Sequence, residues 1–154
     1  VQGGSSDMAS TGEVEASMST AEEHLKDAQD AFREARYHDC AYHSASAAEN
    51  AGNALIIALG GRVPRTHRNA EAMEFAATRL QPSWLRSEGF RKMLESLRDL
   101  EAHVVKSRYP IKVKEGTFIP PKEYYTEGMA KNMLEKAILV LNVAKHLLAL
   151  LRSH

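Results

Sequence analysis

Apolar residues recur at spacings of three and four along most of the chain, which is the period of an amphipathic helix. The first such run predicts a helix over about 20–36, with a capping box that begins at Ser19. The second run predicts a helix over about 39–59, which the Gly60-Gly61 pair ends. Because small residues fill most of this second helix, a neighbouring helix can approach it closely, and we expect it to be the central one.

Three further periodic segments predict three more helices. They cover about 66–80, 87–105 and 126–152, and Thr66 is the candidate N-cap of the first. The intervening segment 107–125 contains three prolines and one glycine, which predicts an ordered loop that can include a short hairpin or an extended strip. Five helices without a convincing sheet predict an all-α, up-and-down bundle.

Length and composition indicate one globular domain. The chain has 154 residues, 44% of them hydrophobic, and 20 Lys and Arg residues balance 20 Asp and Glu residues. This balance removes the argument for nucleic-acid binding by bulk positive charge, although a local basic site remains compatible with it. The single cysteine, Cys40, excludes an internal disulfide and favours a reducing compartment, so we expect a cytoplasmic protein.

No segment has the pattern of a membrane anchor or a signal peptide. The longest stretch without a charged residue, 50–61, is shorter than the roughly 20 residues that a membrane helix needs. The first residues carry no Lys or Arg and no sustained apolar run. We expect residues 1–18 to be a flexible leader, partly a remnant of cloning, and residues 19–154 to be a single helical domain.

Three pieces of sequence are informative in their order and spacing. The first is a helical hairpin with a short A-R-Y-H-D connection and an S-A-A-E-N-A segment in its second helix. The second is the Thr66-His67 pair, and the third is L-R-D-L-E-A-H-V-V-K-S-R-Y-P, which ends at Pro110. Together they resemble a small archaeal or bacterial HEPN domain with an Arg-Tyr-Pro motif. The resemblance covers about 20–152.

The resemblance implies a five-helix bundle, similar to the substrate-binding subunits of nucleotidyltransferases, that is usually dimeric. Many HEPN domains are metal-independent ribonucleases with an Arg-x4–6-His motif, in which the arginine binds phosphate and the histidine transfers protons. Others are non-catalytic partners of minimal nucleotidyltransferases. The resemblance therefore implies a homodimer and leaves an enzyme and an adaptor open.

Arg98 and His103 fit the Arg-x4-His pattern, and Asp99 follows the arginine. Attack by a ribose 2′-hydroxyl needs a base and a cation near the phosphate, and imidazole and guanidinium suit these roles. Five positions along a straight helix separate the two side chains by about 140° around its axis. Either the helix unwinds near His103, or a partner chain completes the site across a two-fold axis, which is the arrangement that we favour. Asp99 would orient the arginine or the histidine.

The alternative for the same residues is a purely structural role. Arg98 can pair with Glu95 or Glu101 on a solvated helix face, while His103 caps the helix C-terminus, where a positive charge is favourable. Neither side chain would then have a catalytic role.

Two other polar groups are candidates for binding. The first is a basic strip that follows the motif and contains Lys106, Arg108, Tyr109 and Lys112. Its cations would contact RNA phosphates and its tyrosine would stack on a base. The alternative is that the strip is only a solvated loop. Glu49 and Asn53 interrupt the small-residue helix and form a candidate polar pocket for a nucleotide, unless they only hydrogen-bond neighbouring helices.

We expect no metal and no cofactor. His38 and His43 stand five positions apart, which does not bring them to one helix face, and no phosphate-binding or dinucleotide-binding glycine motif is present. The sequence therefore predicts a metal-independent ribonuclease or RNA-binding component of a toxin–antitoxin or defence-type system. The alternative is a non-catalytic adaptor that partners a minimal nucleotidyltransferase and helps to bind its nucleotide.

Overall fold

The computed structural model describes residues 2–79 and 82–152, which fold into a helical bundle with one small hairpin. The helices in chain order are α1 (Gln2–Arg33), α2 (Tyr37–Ala58), α3 (Asn69–Ala76), α4 (Pro82–Leu85), α5 (Glu88–Glu101), α6 (His103–Lys106), α7 (Pro121–Tyr124) and α8 (Glu127–Arg152). A 3₁₀ turn, Ala77–Arg79, follows α3, and the strands are β1 (Ile111–Lys114) and β2 (Thr117–Ile119). The predicted all-α bundle is confirmed, and the described residues form additional four-residue helices besides the longer ones expected. Among the described helices, none is long and apolar enough to span a membrane.

Helix α2 is the central helix, as its small residues predict. It contacts α1, α3, α5 and α8. A Cβ atom added to Gly52 would lie 3.3 Å from Asn69 Nδ2 and 3.3 Å from a methyl carbon of Leu97. The absence of a side chain at Gly52 therefore allows α3 and α5 to approach the backbone of α2.

Helices α5 and α8 supply many of the larger core side chains, and α2 and α3 add Leu55, Ile56 and Met73. The apolar stripe predicted on α5 is buried, as are the aliphatic residues along one face of α8. The most deeply buried large members are Met93, Leu97, Leu100, Val140 and Leu141. Each contributes about 1.5–3 kcal/mol through removal of its apolar surface from water, so this interface supplies much of the folding free energy.

The first helix starts earlier than its sequence pattern indicated. Because α1 begins at Gln2, Ser19 lies within the helix and does not cap its start, so the predicted capping box is wrong. Val14 is buried in the core, which shows that the apolar face continues upstream of the predicted helix. Helix α1 runs through the expected leader, and a cloning origin for part of that segment stays a prediction.

The third helix is capped by a distant residue. Thr66 was expected to cap it, but α3 begins at Asn69 and has no side-chain cap from its own flank. Glu101 of α5 instead accepts a hydrogen bond from the backbone nitrogen of Ala70, at 3.2 Å. His67 takes a left-handed backbone conformation with φ of 62°, which ends any helix that Thr66 would begin.

The predicted fourth helix is interrupted. Helix α5 starts after Ser87, whose hydroxyl accepts a hydrogen bond from Phe90 N at 3.2 Å. It ends at Glu101, and α6 starts again at His103 after a one-residue break at Ala102. The segment that follows forms a short hairpin, one of the two arrangements that its sequence left open, with a bulge between Lys112 and Lys114.

Candidate functional site

Arg98 lies on the exposed surface of α5 and binds a carboxylate of another helix. Its guanidinium donates to Glu74 of α3, and the Arg98 and Glu74 side chains are 56% and 51% exposed. Glu101, one of the partners expected for it, instead caps α3. Arg98 is therefore accessible to an external anion, which would replace Glu74 as the partner of its guanidinium.

His103 lies at the start of α6 and is half-buried against Tyr125. Its Nδ1 atom is 2.8 Å from the Tyr125 hydroxyl, and the two rings meet edge to face. Burial lowers the pKa of His103 from its ordinary value, and the charges of Lys106 and Lys136 lower it further, whereas Asp99 raises it. The net direction favours a neutral imidazole, and the bond to Tyr125 leaves Nε2 as the nitrogen for a substrate.

Tyr125 remains protonated in this position. Only 3% of the residue is exposed, and burial raises the pKa of its phenol. The hydroxyl can therefore donate to Nδ1 or accept from it, depending on the imidazole tautomer. The contact holds the ring of His103 in either case.

Among the described residues, no hydrogen bond or ion pair joins Arg98 to His103 within one chain. The arginine is held by α3, whereas the histidine is held by Tyr125, just before α8. The break at Ala102 thus interrupts the helix, but it does not give the two side chains a common partner. This is the separation that helical geometry predicts for two residues five positions apart.

Asp99 also has a partner that the sequence did not indicate. Its carboxylate lies 2.9 Å from Lys136 Nζ of α8, so it orients neither Arg98 nor His103 by a direct bond. Its negative charge still acts on His103 by raising the pKa of the imidazole. Asp99 therefore influences His103 through space while anchoring α5 to α8.

The predicted basic strip divides into separate groups. Lys106 donates to the Tyr124 hydroxyl at 2.9 Å and lies 4.4 Å from the centre of that ring. Arg108 donates to a backbone carbonyl and packs over the rings of Tyr42 and Tyr109, whereas Lys112 pairs with Glu115 on the hairpin. We call Asp99, His103, Lys106, Tyr124 and Tyr125 the His103 cluster. Lys106 is the member of the predicted basic strip that belongs to this cluster. Tyr109, the stacking residue of the strip, is exposed.

Glu49 and Asn53 meet residues that precede and begin α3. Glu49 Oε1 is 2.6 Å from Nδ1 of His67, and Asn69 Nδ2 donates to both the Glu49 carbonyl and the Asn53 side chain. The space left beside Glu49, His67 and Asn69 is about 10 Å³. This volume excludes a nucleotide, and the hydrogen bonds favour the structural role for both residues.

Some contacts were not visible in the sequence. Tyr125 lies 22 positions after His103, and no local period links them. His24 and His43 also meet, with their Nδ1 atoms 2.9 Å apart across the α1–α2 hairpin. Knowledge of the helix pairing would have been needed to find either contact. Within residues 2–79 and 82–152, no group of three or more His, Cys, Asp or Glu side chains could hold a metal ion.

The fold of this bundle agrees with that of known proteins. A model of the HEPN domain matches residues 14–147, and the chain belongs to the HEPN domain family. The crystal structure of an archaeal HEPN homologue is similar to it, with a TM-score of 0.63 and 27% sequence identity. That match covers 86% of this chain and 95% of the archaeal one. A comparison with curated proteins gave no match.

The lowered pKa values of two histidines predict a loss of stability in mild acid. Burial, and then the charge of His43, lower the pKa of His24, and burial lowers that of His103. Below about pH 6.5 the unfolded chain therefore binds more protons than the folded one, so the free energy of unfolding should fall as the pH drops through that range. Urea unfolding at about pH 7.5 and pH 5.5 measures this change.

A double variant and a control variant test whether His24 and His103 cause this pH dependence of stability. His24→Gln with His103→Gln should reduce the difference between the two pH values, whereas substitution of the exposed His146 by Gln should leave it unchanged. An undiminished difference in the double variant would contradict the assignment.

Proposed function

We propose that this HEPN protein is a metal-independent ribonuclease that acts as a cytoplasmic homodimer in a toxin–antitoxin or defence-type system. His103 transfers the proton, and Arg98 contacts the scissile phosphate. The observation that carries the proposal is the state of His103, which is half-buried, favoured in its neutral form and held at Nδ1 by Tyr125. A fixed neutral imidazole with one available nitrogen suits general acid–base catalysis.

The reaction that these residues suit is internal transesterification of RNA. When Nδ1–H donates to Tyr125, Nε2 of His103 is free to take the proton of the ribose 2′-hydroxyl. The 2′-oxygen then bonds to phosphorus, the bond from phosphorus to the 5′-oxygen breaks, and that oxygen takes up a proton from solvent or from the imidazolium. The products are a 2′,3′-cyclic phosphate and a 5′-hydroxyl. Arg98 would stabilise the charge that develops on the phosphate oxygens.

Arg98 can leave its carboxylate partner at little cost. An exposed ion pair contributes about 0–1 kcal/mol, so an RNA phosphate can compete with Glu74 for the guanidinium. Because Arg98 and His103 have no common partner within one chain, we infer that a second copy brings a complementary Arg98 to each His103.

The test is RNA cleavage by the purified protein in EDTA. We expect wild type to cleave, and His103→Ala to lose at least about 100-fold in rate, the usual contribution of a general acid or base. His146→Ala, which removes an exposed histidine of α8, is the matched control and should cleave at the wild-type rate. Circular dichroism and thermal unfolding confirm that both variants fold. Absence of cleavage, or equal rates for wild type and His103→Ala, would overturn the proposal.

A second candidate is the non-catalytic adaptor for a minimal nucleotidyltransferase. The hairpin and its flank favour it, because Tyr109, Val113 and Phe118 are 56%, 48% and 61% exposed. Exposed apolar side chains of this size suit a protein partner. An inactive protein that binds a minimal nucleotidyltransferase, and loses it on Phe118→Ser, would favour the adaptor.

A further inference from the structure

A surface cleft separate from the His103 cluster lies between the α2–α3 loop and α3. Its volume is about 630 Å³, which is within the range of small-molecule sites. The lining side chains that matter for binding are those of Arg62, Thr66, Arg68, Glu71 and Phe75. The cleft is therefore large enough for a nucleotide, unlike the space beside Glu49.

The cleft has an excess of positive charge. Arg62 and Arg68 line it, and the exposed Arg65 lies between them in the chain. Within the part of the chain that the structure describes, no hydrogen bond or ion pair joins these three side chains to a carboxylate, whereas Arg36 pairs with two carboxylates and Arg98 with one. A phosphate group would supply the missing counter-charge, and guanidinium forks match its oxygens.

Phe75 provides an aromatic surface beside these cations. At 76% exposure it is the most exposed large apolar side chain of the described residues. A base that stacks on an aromatic ring covers such a surface, and stacking of this kind accepts any base. Glu71 also lines the cleft, where its carboxylate can accept a hydrogen bond from a ribose hydroxyl.

The loop that carries the arginines is held in place before any ligand arrives. Gly60 takes a φ of 80°, and a Cβ on Gly61 would lie 3.0 Å from an Ile56 methyl carbon, so both positions favour glycine. At the other end, Glu49 Oε1 lies 2.6 Å from Nδ1 of His67, whose backbone is left-handed, so this contact ties the end of the loop to α2. A loop fixed at both ends loses little conformational entropy on binding.

We propose that this cleft binds a ribonucleotide unit, with the phosphate on Arg62 and Arg68 and the base on Phe75. The proposal stands on residues outside the His103 cluster, so it does not depend on the ribonuclease activity. The ligand would be either a free nucleotide or one unit of a single-stranded RNA, because both carry a phosphate, a ribose and a base. Helix α3 would bring such an RNA close to Arg98, because Glu74, which binds Arg98, precedes Phe75.

Fluorescence anisotropy with a labelled short oligoadenylate in EDTA tests the proposal. The His103→Ala chain serves as background, so that the RNA is not cut. We expect Arg62→Ala with Arg68→Ala to weaken binding at least about tenfold more than Arg86→Ala with Arg91→Ala, which removes the same charge from exposed arginines elsewhere. Phe75→Ala should weaken binding about tenfold, and Phe75→Tyr should retain it.

The outcomes separate this proposal from the proposed function. Unchanged affinity in the cleft variants, or an equal loss in the Arg86 and Arg91 variant, would overturn the cleft. Binding that depends on the cleft without cleavage by the wild type would overturn the ribonuclease alone. If unlabelled AMP competes with an affinity equal to that of the oligoadenylate, the site binds free nucleotides. If the affinity instead rises with the length of the RNA, the site binds RNA.

Discussion

A mixture of Arg98→Ala and His103→Ala proteins should cleave RNA at about a quarter of the wild-type rate, although each variant alone is inactive. If every site takes Arg98 from one chain and His103 from the other, a mixed dimer has one intact site and one doubly defective site. Half of the dimers are mixed after random exchange, which gives about a quarter of the normal number of sites. Recovery from two inactive proteins is a large signal against a low background.

The experiment needs subunit exchange and a control that cannot complement. Co-expression with two different affinity tags yields the mixed dimer directly. Pairing Arg98→Ala with a chain that carries both substitutions should give no recovery, because no site then has an arginine. If the purified mixed dimer is also inactive, each site is built within one chain, and the inferred two-fold arrangement is wrong.

The physical reason for expecting shared sites lies in the partners of the two residues. Arg98 is directed to Glu74 on α3, and His103 packs on Tyr125 before α8. Five positions along a helix also separate the two side chains by about 140° around its axis, which directs them away from a common phosphate within one chain. A partner chain related by a two-fold axis can supply the arginine instead.

Local periodicity was sufficient to predict the helices that form the core. The stripe on α5 and the small residues of α2 follow from spacing within one helix, and both are buried as expected. The start of α3 could not be found in this way. Its cap is Glu101, which lies 31 positions from Ala70 in the chain and reaches it only after α5 has packed against α3.

The same distinction applies to the candidate site. Arg98 and His103 are recognisable because their spacing along one segment is fixed, whereas Tyr125 meets His103 only through the path of the hairpin and α7. Arg62, Arg65 and Arg68 are visible in the sequence as charges. The cleft beside them depends on the path of the loop, which ends where the His67 side chain contacts Glu49, and no pattern of charges specifies it.

Replacement of Gly52 by valine should destabilise the protein by at least about 2 kcal/mol, because the central helix has no room for a side chain there. A Cβ would already lie 3.3 Å from both Asn69 Nδ2 and a methyl of Leu97, and the two additional methyl groups of valine would overlap them. Leu97 can change rotamer, but Asn69 donates to Glu49 and to Asn53 and would lose these buried bonds if displaced. Urea unfolding at neutral pH measures the loss.

Gly12 provides the matched control, since it lies within α1 with nothing within 4 Å of an added Cβ. Gly12→Ala should stabilise the protein by about 0.5–1 kcal/mol, because alanine loses less backbone entropy than glycine in a helix. If the free energy of unfolding falls on substitution of Gly52 and rises on substitution of Gly12, close packing at Gly52, not helix propensity, determines the result. Because Asn69 begins α3, Gly52→Val should also move the arginine cleft and weaken nucleotide binding. A valine variant as stable as wild type would mean that α3 and α5 can move away from α2 without cost.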